Sequence, residues 1–203
     1  MSKSRGPVVA VVLAAGESRR MGQNKMLLPL GQESVVRRAV RQVLEAGFDA
    51  VWAVVGRDAA QVKAELEGLP VFAVENPRYP QGLGSSFRAA VQALPEGVEA
   101  AMFTLADQVF LSAGLYREVL EAYRASRPKL VVCRYGEVLA PPHLFQRELF
   151  PELGQEPGQG GKEVLRRYAA EAVTLAMPEA ALFDLDTPDD YQEALRRLAD
   201  SGM

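Results

Sequence analysis

Apolar positions along this chain switch repeatedly between two periods. Val8-Val9-Ala10-Val11-Val12-Leu13 is continuously apolar, the pattern of a strand buried on both faces of a parallel sheet. Over 34–46 the residues Val35, Val36, Ala39, Val40, Val43 and Leu44 recur with helical spacing. Arg37, Arg38 and Arg41 take the opposite face, and Gly47 stands where the helix stops. The rhythm then predicts a strand over 50–55, a helix over 59–66 and a strand over 71–74. A Pro/Gly-rich loop over 76–84 leads to a helix over 86–94, a strand over 100–105, a helix over 115–125 and a strand over 130–134. Beyond Gly136 the alternation loosens. Pro141-Pro142 interrupts any strand, 143–150 reads as a helix, and 154–161 is a polar loop rich in glycine. A helix over 162–170, a strand over 172–175 and a closing helix over 188–199 complete the chain. Strands alternating with helices, without a repeat or a separating linker, predict one α/β domain: a doubly wound, mostly parallel, Rossmann-like sheet flanked by helices.

Composition narrows the chemistry. With 203 residues, 48% of them hydrophobic, the chain buries a core without disulfides or a structural metal. A net charge of −3 lacks the basic footprint of a nucleic-acid binder. Cys133 is the single cysteine and His143 the single histidine, so an internal disulfide and a thiolate or His-rich metal site are excluded. A bound metal therefore has to be held by carboxylates. The apolar run near the start is too short to cross a bilayer, and its β-branched content reads as a strand rather than a secretory signal. The expectation is a cytoplasmic protein with no membrane and no nucleic acid among its partners.

In sheets of this kind, ligands bind beyond the C-terminal ends of the strands. The first strand empties into Leu13-Ala14-Ala15-Gly16-Glu17-Ser18-Arg19-Arg20-Met21-Gly22-Gln23-Asn24-Lys25. Small residues at Ala14, Ala15 and Gly16 let backbone N–H groups approach phosphate oxygens, and Arg19, Arg20 and Lys25 add positive charge. Neither a Walker A ending nor a Gly-x-Gly-x-x-Gly turn is present. A solvated turn is the ordinary alternative, but the loop's place at a strand end favours an anion site. Asp107 in Thr104-Leu105-Ala106-Asp107-Gln108 follows a buried strand at the same edge, where a carboxylate can hold Mg²⁺ against phosphate or simply bond nearby backbone. Gly82 and Gly84 form turns, and Ser85 or Ser86 is placed to cap the next helix. In Phe183-Asp184-Leu185-Asp186-Thr187-Pro188-Asp189-Asp190, Asp186 or Thr187 is a capping residue and the remaining acids suit the helix dipole.

The arrangement Leu-Ala-Ala-Gly-x-Ser-x-Arg-Met-Gly-x-x-Lys, with Leu27-Leu28-Pro29-Leu30 after it, resembles the molybdopterin nucleotidyltransferases, above all the molybdenum cofactor cytidylyltransferases. The blocks around Asn76, Asp107 and Asp186 are similar to further motifs of that family, with Val109 where proline is usual. The resemblance implies a nucleotidyltransferase fold across 1–203, with about 8–110 binding NTP and about 111–203 binding the acceptor. It implies a nucleotide site made by Leu13, Ala14, Ala15, Gly16, Ser18, Arg19, Gly22, Lys25, Asn76, Gly82, Ser85 and Ser86. Lys25, Arg20 and Asp107 become the catalytic set, and Asp107 with Asp186 the ligands of Mg²⁺ or Mn²⁺. Gly160 and Lys162 fall where the family binds its acceptor, but Gln159 and Lys162 replace the usual Asp and Arg. Lysine lacks arginine's bidentate fork, which leaves the acceptor open. Asp184, Asp189 and Asp190 read as structural, His143 as a packing or surface residue, and Cys133 as an inert core thiol.

The implied reaction is transfer of CMP from CTP to the phosphate of molybdopterin, in its molybdenum form, with release of pyrophosphate. An acceptor phosphate is already an anionic nucleophile, so the lack of a nucleophile–base pair fits this chemistry. Guanylyl transfer from GTP to the same cofactor is the alternative enzyme. A non-catalytic escort that carries nucleotide or cofactor, docking on a recipient molybdoenzyme or its chaperone, is the alternative of another class. Ala15, in place of the glycine usual in guanylyltransferases of the group, favours CTP.

Overall fold

The computed structural model describes residues 6–155 and 161–200. Strand β1 (Val8–Ala14) is buried along its whole length. Val8, Ala10, Val12 and Ala14 feed one core, while Val9, Val11 and Leu13 feed the other, which explains the unbroken apolar run. A small hairpin of β2 (Pro29–Leu30) and β3 (Glu33–Ser34) precedes α1 (Val35–Glu45). Ser34 caps α1 by accepting from Arg37 N, and Gly47, at φ 91°, turns the chain out of it. Next come β4 (Val51–Val55), α2 (Ala59–Glu65), β5 (Phe72–Glu75), α3 (Leu83–Ala93), β6 (Ala100–Leu105) and α4 (Ala113–Ser126). They are followed by β7 (Leu130–Tyr135), β8 (Val138–Leu139), β9 (His143–Gln146), α5 (Phe150–Gln155), α6 (Lys162–Arg167), β10 (Ala172–Met177) and α7 (Pro188–Asp200).

The main sheet runs β10-β7-β9-β6-β1-β4-β5, with β8 paired to β7. Its long pairings are parallel, β1 lying between β6 and β4. One face is covered by α1, α2, α4 and α7 through Val40, Val62, Leu120 and Leu198, and the other by α3, α5 and α6 through Phe87, Leu153 and Val164. This is the expected single-domain, doubly wound α/β fold. Among the described residues, no helix is long and apolar enough to cross a membrane.

Two local expectations are corrected. Residues 143–146 are a strand, not the start of a helix: β9 inserts antiparallel between β6 and β7, pairing His143 with Phe103 and Leu144 with both Met102 and Val131. Four residues, three of them buried, carry too little periodicity to separate strand from helix, and the prolines stand before the strand rather than inside it. Neither Ser85 nor Ser86 caps α3. That helix begins at Leu83 with Gly82 as its N-cap, at φ 93°, and both serines lie buried in its first turn. His143 is buried, and its Nδ1 accepts from Cys133 N at 3.3 Å. Desolvation lowers its pKa to about 4. The Cys133 thiol is buried as well, and burial pushes its pKa up.

At the edge where β1 and β6 begin, charges are fully paired. Asp49 Oδ2 accepts from Val8 N at 2.7 Å. Glu99 accepts from the Tyr123 hydroxyl at 2.9 Å and from the Arg127 guanidinium. Burial acts to raise the Glu99 pKa, but these two donors and the Gly6 backbone outweigh it and hold the carboxyl below its ordinary value.

Candidate functional site

At the opposite edge, β1 opens into a loop shaped by its own backbone. Ala15 is still buried, Gly16 is exposed, and Ser18 turns the chain in the left-handed region at φ 52°. A single turn over Arg19–Met21 follows, anchored by buried Met21 and closed by Gly22 at φ 74°. Asn24 caps the next turn, Lys25–Leu27, by accepting from Met26 N at 3.1 Å. Ser18 Oγ accepts from Lys25 N at 3.2 Å. With Met26 and Leu28 pulled into the core, the Lys25 side chain is drawn inside and is only 8% exposed.

Lys25 Nζ donates to Asp107 Oδ2 at 2.5 Å and to Asp186 Oδ1 at 2.8 Å. Arg20 donates to Asp186 Oδ2 at 2.6 Å. Asp107 arrives directly from the end of β6. Asp186 is brought there by long-range backbone pairing: Leu185 N donates to Asp107 O at 3.0 Å, and Gln108 and Asp184 form an antiparallel bridge. Beyond it, Thr187 caps α7 and Asp190 accepts from the Asp186 and Thr187 N–H groups, so Asp190 is structural as expected. Desolvation would lower the Lys25 pKa, but Asp107 and Asp186 outweigh it and the ammonium is held above its ordinary value. For Asp186, Lys25 and Arg20 likewise overcome burial and hold the carboxyl low. Asp184 differs: burial first, and Asp107 second, push its carboxyl up.

These groups share a cleft of about 370 Å³. It is lined by the expected Leu13, Ala14, Ala15, Gly16, Ser18, Arg19, Arg20, Lys25, Gly82, Ser86, Asp107 and Asp186. Arg19 is the most open of the three cations and pairs with Glu17. Gly22, Asn76 and Ser85 stand outside the lining. Asn76 is buried behind it, where its Nδ2 donates to Ser85 Oγ at 2.9 Å and to Ser86 Oγ at 3.1 Å. Lys162 is exposed at the start of α6 and does not line the cleft, and Gly160 lies outside the described residues.

Motif reading missed two supports. Arg57 Nη1 donates to Glu17 O at 2.6 Å, and Asn24 Nδ2 donates to Arg57 O at 3.0 Å, tying the loop to the end of the neighbouring strand. Gly56 is required by close packing, since a Cβ there would lie 2.7 Å from Tyr79 Cβ and 2.9 Å from Ala15 Cβ. The signal for both was position, immediately after a strand next to β1.

The carboxylates suit a hard divalent cation. Asp107 Oδ1 is buried with no hydrogen-bond partner, an acceptor left open beside a second carboxylate. No cluster of three or more His, Cys, Asp or Glu able to hold a metal exists among the described residues. A pair of carboxylates is what Mg²⁺ commonly takes, with phosphate oxygens and water completing its shell.

A mostly parallel sheet with an anion-suited loop and two carboxylates at its C-terminal edge suits a protein that handles nucleotide phosphates. The match to a family model makes this specific: residues 10–173 fit the MobA-like NTP transferase domain, and the chain belongs to that family. It is 30% identical over 206 residues to the purine catabolism protein PucB of Bacillus subtilis (strain 168), covering 95% of this chain and 98% of the relative. It is 26% identical over 190 residues to the molybdenum cofactor cytidylyltransferase of Escherichia coli (strain K12), covering 92% and 95%. The crystal structure of Rv0371c from Mycobacterium tuberculosis H37Rv superposes with a TM-score of 0.81 at 29% identity, covering 95% of this chain and 99% of the other. The same mycobacterial protein is also known in complex with manganese.

Proposed function

We infer that this nucleotidyltransferase moves CMP from CTP to the phosphate of molybdopterin, in its molybdenum form, and releases pyrophosphate. The observation that carries the reading is the convergence of Lys25, Arg20, Asp107 and Asp186 on the small-residue loop after β1. An oxygen of the acceptor phosphate attacks the α-phosphorus. The new O–P bond forms as the bond to the β-phosphate oxygen breaks, and the electron pair leaves with pyrophosphate. Lys25 and Arg20 neutralise charge on the triphosphate, while the loop N–H groups and the first turn of α3, at the positive end of its dipole, orient it. Asp107 and Asp186 hold the divalent ion, which when bound neutralises phosphate charge. Residues of about 8–110 bind the nucleotide and those of about 111–203 the acceptor.

Cytosine is favoured by the family resemblance, through Ala15 where guanylyltransferases of the group usually carry glycine. Similarity to the Escherichia coli cytidylyltransferase supports both CTP and the acceptor. The test is pyrophosphate release from protein, Mg²⁺, molybdenum cofactor and each NTP in turn. Release with CTP alone is expected. Release with GTP alone reassigns the base, and tight CTP binding without release identifies an escort.

A further inference from the structure

Lys25 is positioned for more than receiving phosphate. Its buried ammonium and the Arg20 guanidinium between them engage three of the four oxygens of Asp107 and Asp186, and the fourth, Asp107 Oδ1, is buried and unpartnered. The cluster sets two cations, Lys25 and Arg20, against two carboxylates, with a third, Asp184, close enough to feel Asp107 and Asp186. A divalent ion added to it meets oxygens already in use and two like charges a few ångströms away. Expelling the ammonium alone is no remedy. A side chain only 8% exposed would leave a buried charge without a partner, which is strongly unfavourable. A triphosphate changes this, because it offers Lys25 and Arg20 new anionic partners in the same cleft.

We propose that Lys25 is the resident counter-cation of the Asp107–Asp186 pair, so that divalent metal gains these carboxylates only as a nucleoside triphosphate draws the ammonium away. Metal and nucleotide then enter as a coupled pair, each tightening the other, with Lys25 as the element that carries the coupling. The inference rests on the assignment of Asp107 and Asp186 to the metal.

Mn²⁺ binding, followed by the electron paramagnetic resonance of the free ion, tests it without any turnover. Lys25→Met keeps the length and removes the charge. The nucleotide-free variant is expected to bind Mn²⁺ about tenfold more tightly than wild type, which is about 1.4 kcal/mol. CTP should then tighten Mn²⁺ less in the variant than in wild type. Arg20→Gln, at a side chain 68% exposed and therefore harmless to folding, should tighten Mn²⁺ about threefold and keeps the test decisive if Lys25→Met does not fold. Arg19→Gln removes a charge from the same loop that pairs only with Glu17, and it should leave Mn²⁺ affinity unchanged. The proposal is overturned if a folded Lys25→Met does not tighten Mn²⁺, if Lys25→Met does not fold and Arg20→Gln fails to tighten it, or if Arg19→Gln tightens it equally. Asp107→Asn separates the two levels. If it does not weaken Mn²⁺ binding even with CTP present, the metal assignment fails and the proposal with it. If it does, while Lys25→Met binds as wild type does, the proposal alone fails.

Discussion

The two ends of the central strands carry charge clusters of similar size and opposite design. Where β6 begins, Glu99 is matched by Tyr123, Arg127 and backbone, and its carboxyl is held low. Where β1 and β6 end, Lys25 bridges two carboxylates, Asp107 Oδ1 has no partner and Asp184 is pushed up in pKa. A fully paired cluster contributes stability. One with an orphaned acceptor costs stability and persists where a ligand completes it. One end of the sheet thus carries the cleft with an unsatisfied acceptor, and the other a cluster whose charges are paired.

The sharpest way to break that contrast is Asp107→Ala. It should lower kcat/KM for pyrophosphate release by about 10²–10³-fold; retained activity would remove Asp107 from the catalytic set. At the other end, Glu99→Gln should cost about 2 kcal/mol in urea unfolding, because it withdraws a charged acceptor from two donors. Its kcat should be unchanged, and a large loss of activity would undo the division of labour.

His143, mid-sheet and tied to neither cluster, supplies a pH probe of the scaffold. Its folded pKa of about 4 lies below the ordinary value of 6.5. Between these values the unfolded chain binds more protons, so stability rises with pH through the window and is lost as pH falls from 6.5 towards 4. The loss should amount to about 3 kcal/mol, and in His143→Gln the same pH series should be flatter. Equal slopes would remove His143 as its source. The smallest effect is expected at the cleft's exposed rim, where Arg19→Gln should shift stability by under about 0.5 kcal/mol in the same unfolding assay.

Local pattern alone was enough for most of the scaffold. The continuous run of β1, the helical spacing of α1 and the boundaries of β6 were legible because each is set by neighbours within a few residues. So was the placement of Lys25 and Asp107 at one edge, since loops after adjacent parallel strands must emerge on the same side. The strand at 143–146 was not legible, because four residues, three of them buried, read alike in either state. Nor was the Ser85–Ser86 pair, whose hydroxyls answer to Asn76 rather than to a helix end. Arg57's hold on Glu17 O was hidden for the same reason.

What the sequence by itself determined was therefore the doubly wound order of elements and a cationic loop beside one carboxylate. Tertiary structure decided that Lys25 is buried between two aspartates, one of them 161 positions away. Periodicity reports which face a residue shows to its own element. The partner of a buried charge is set by which distant backbones pair, as Leu185 and Asp107 do here, and that information lies in the packing of the whole chain.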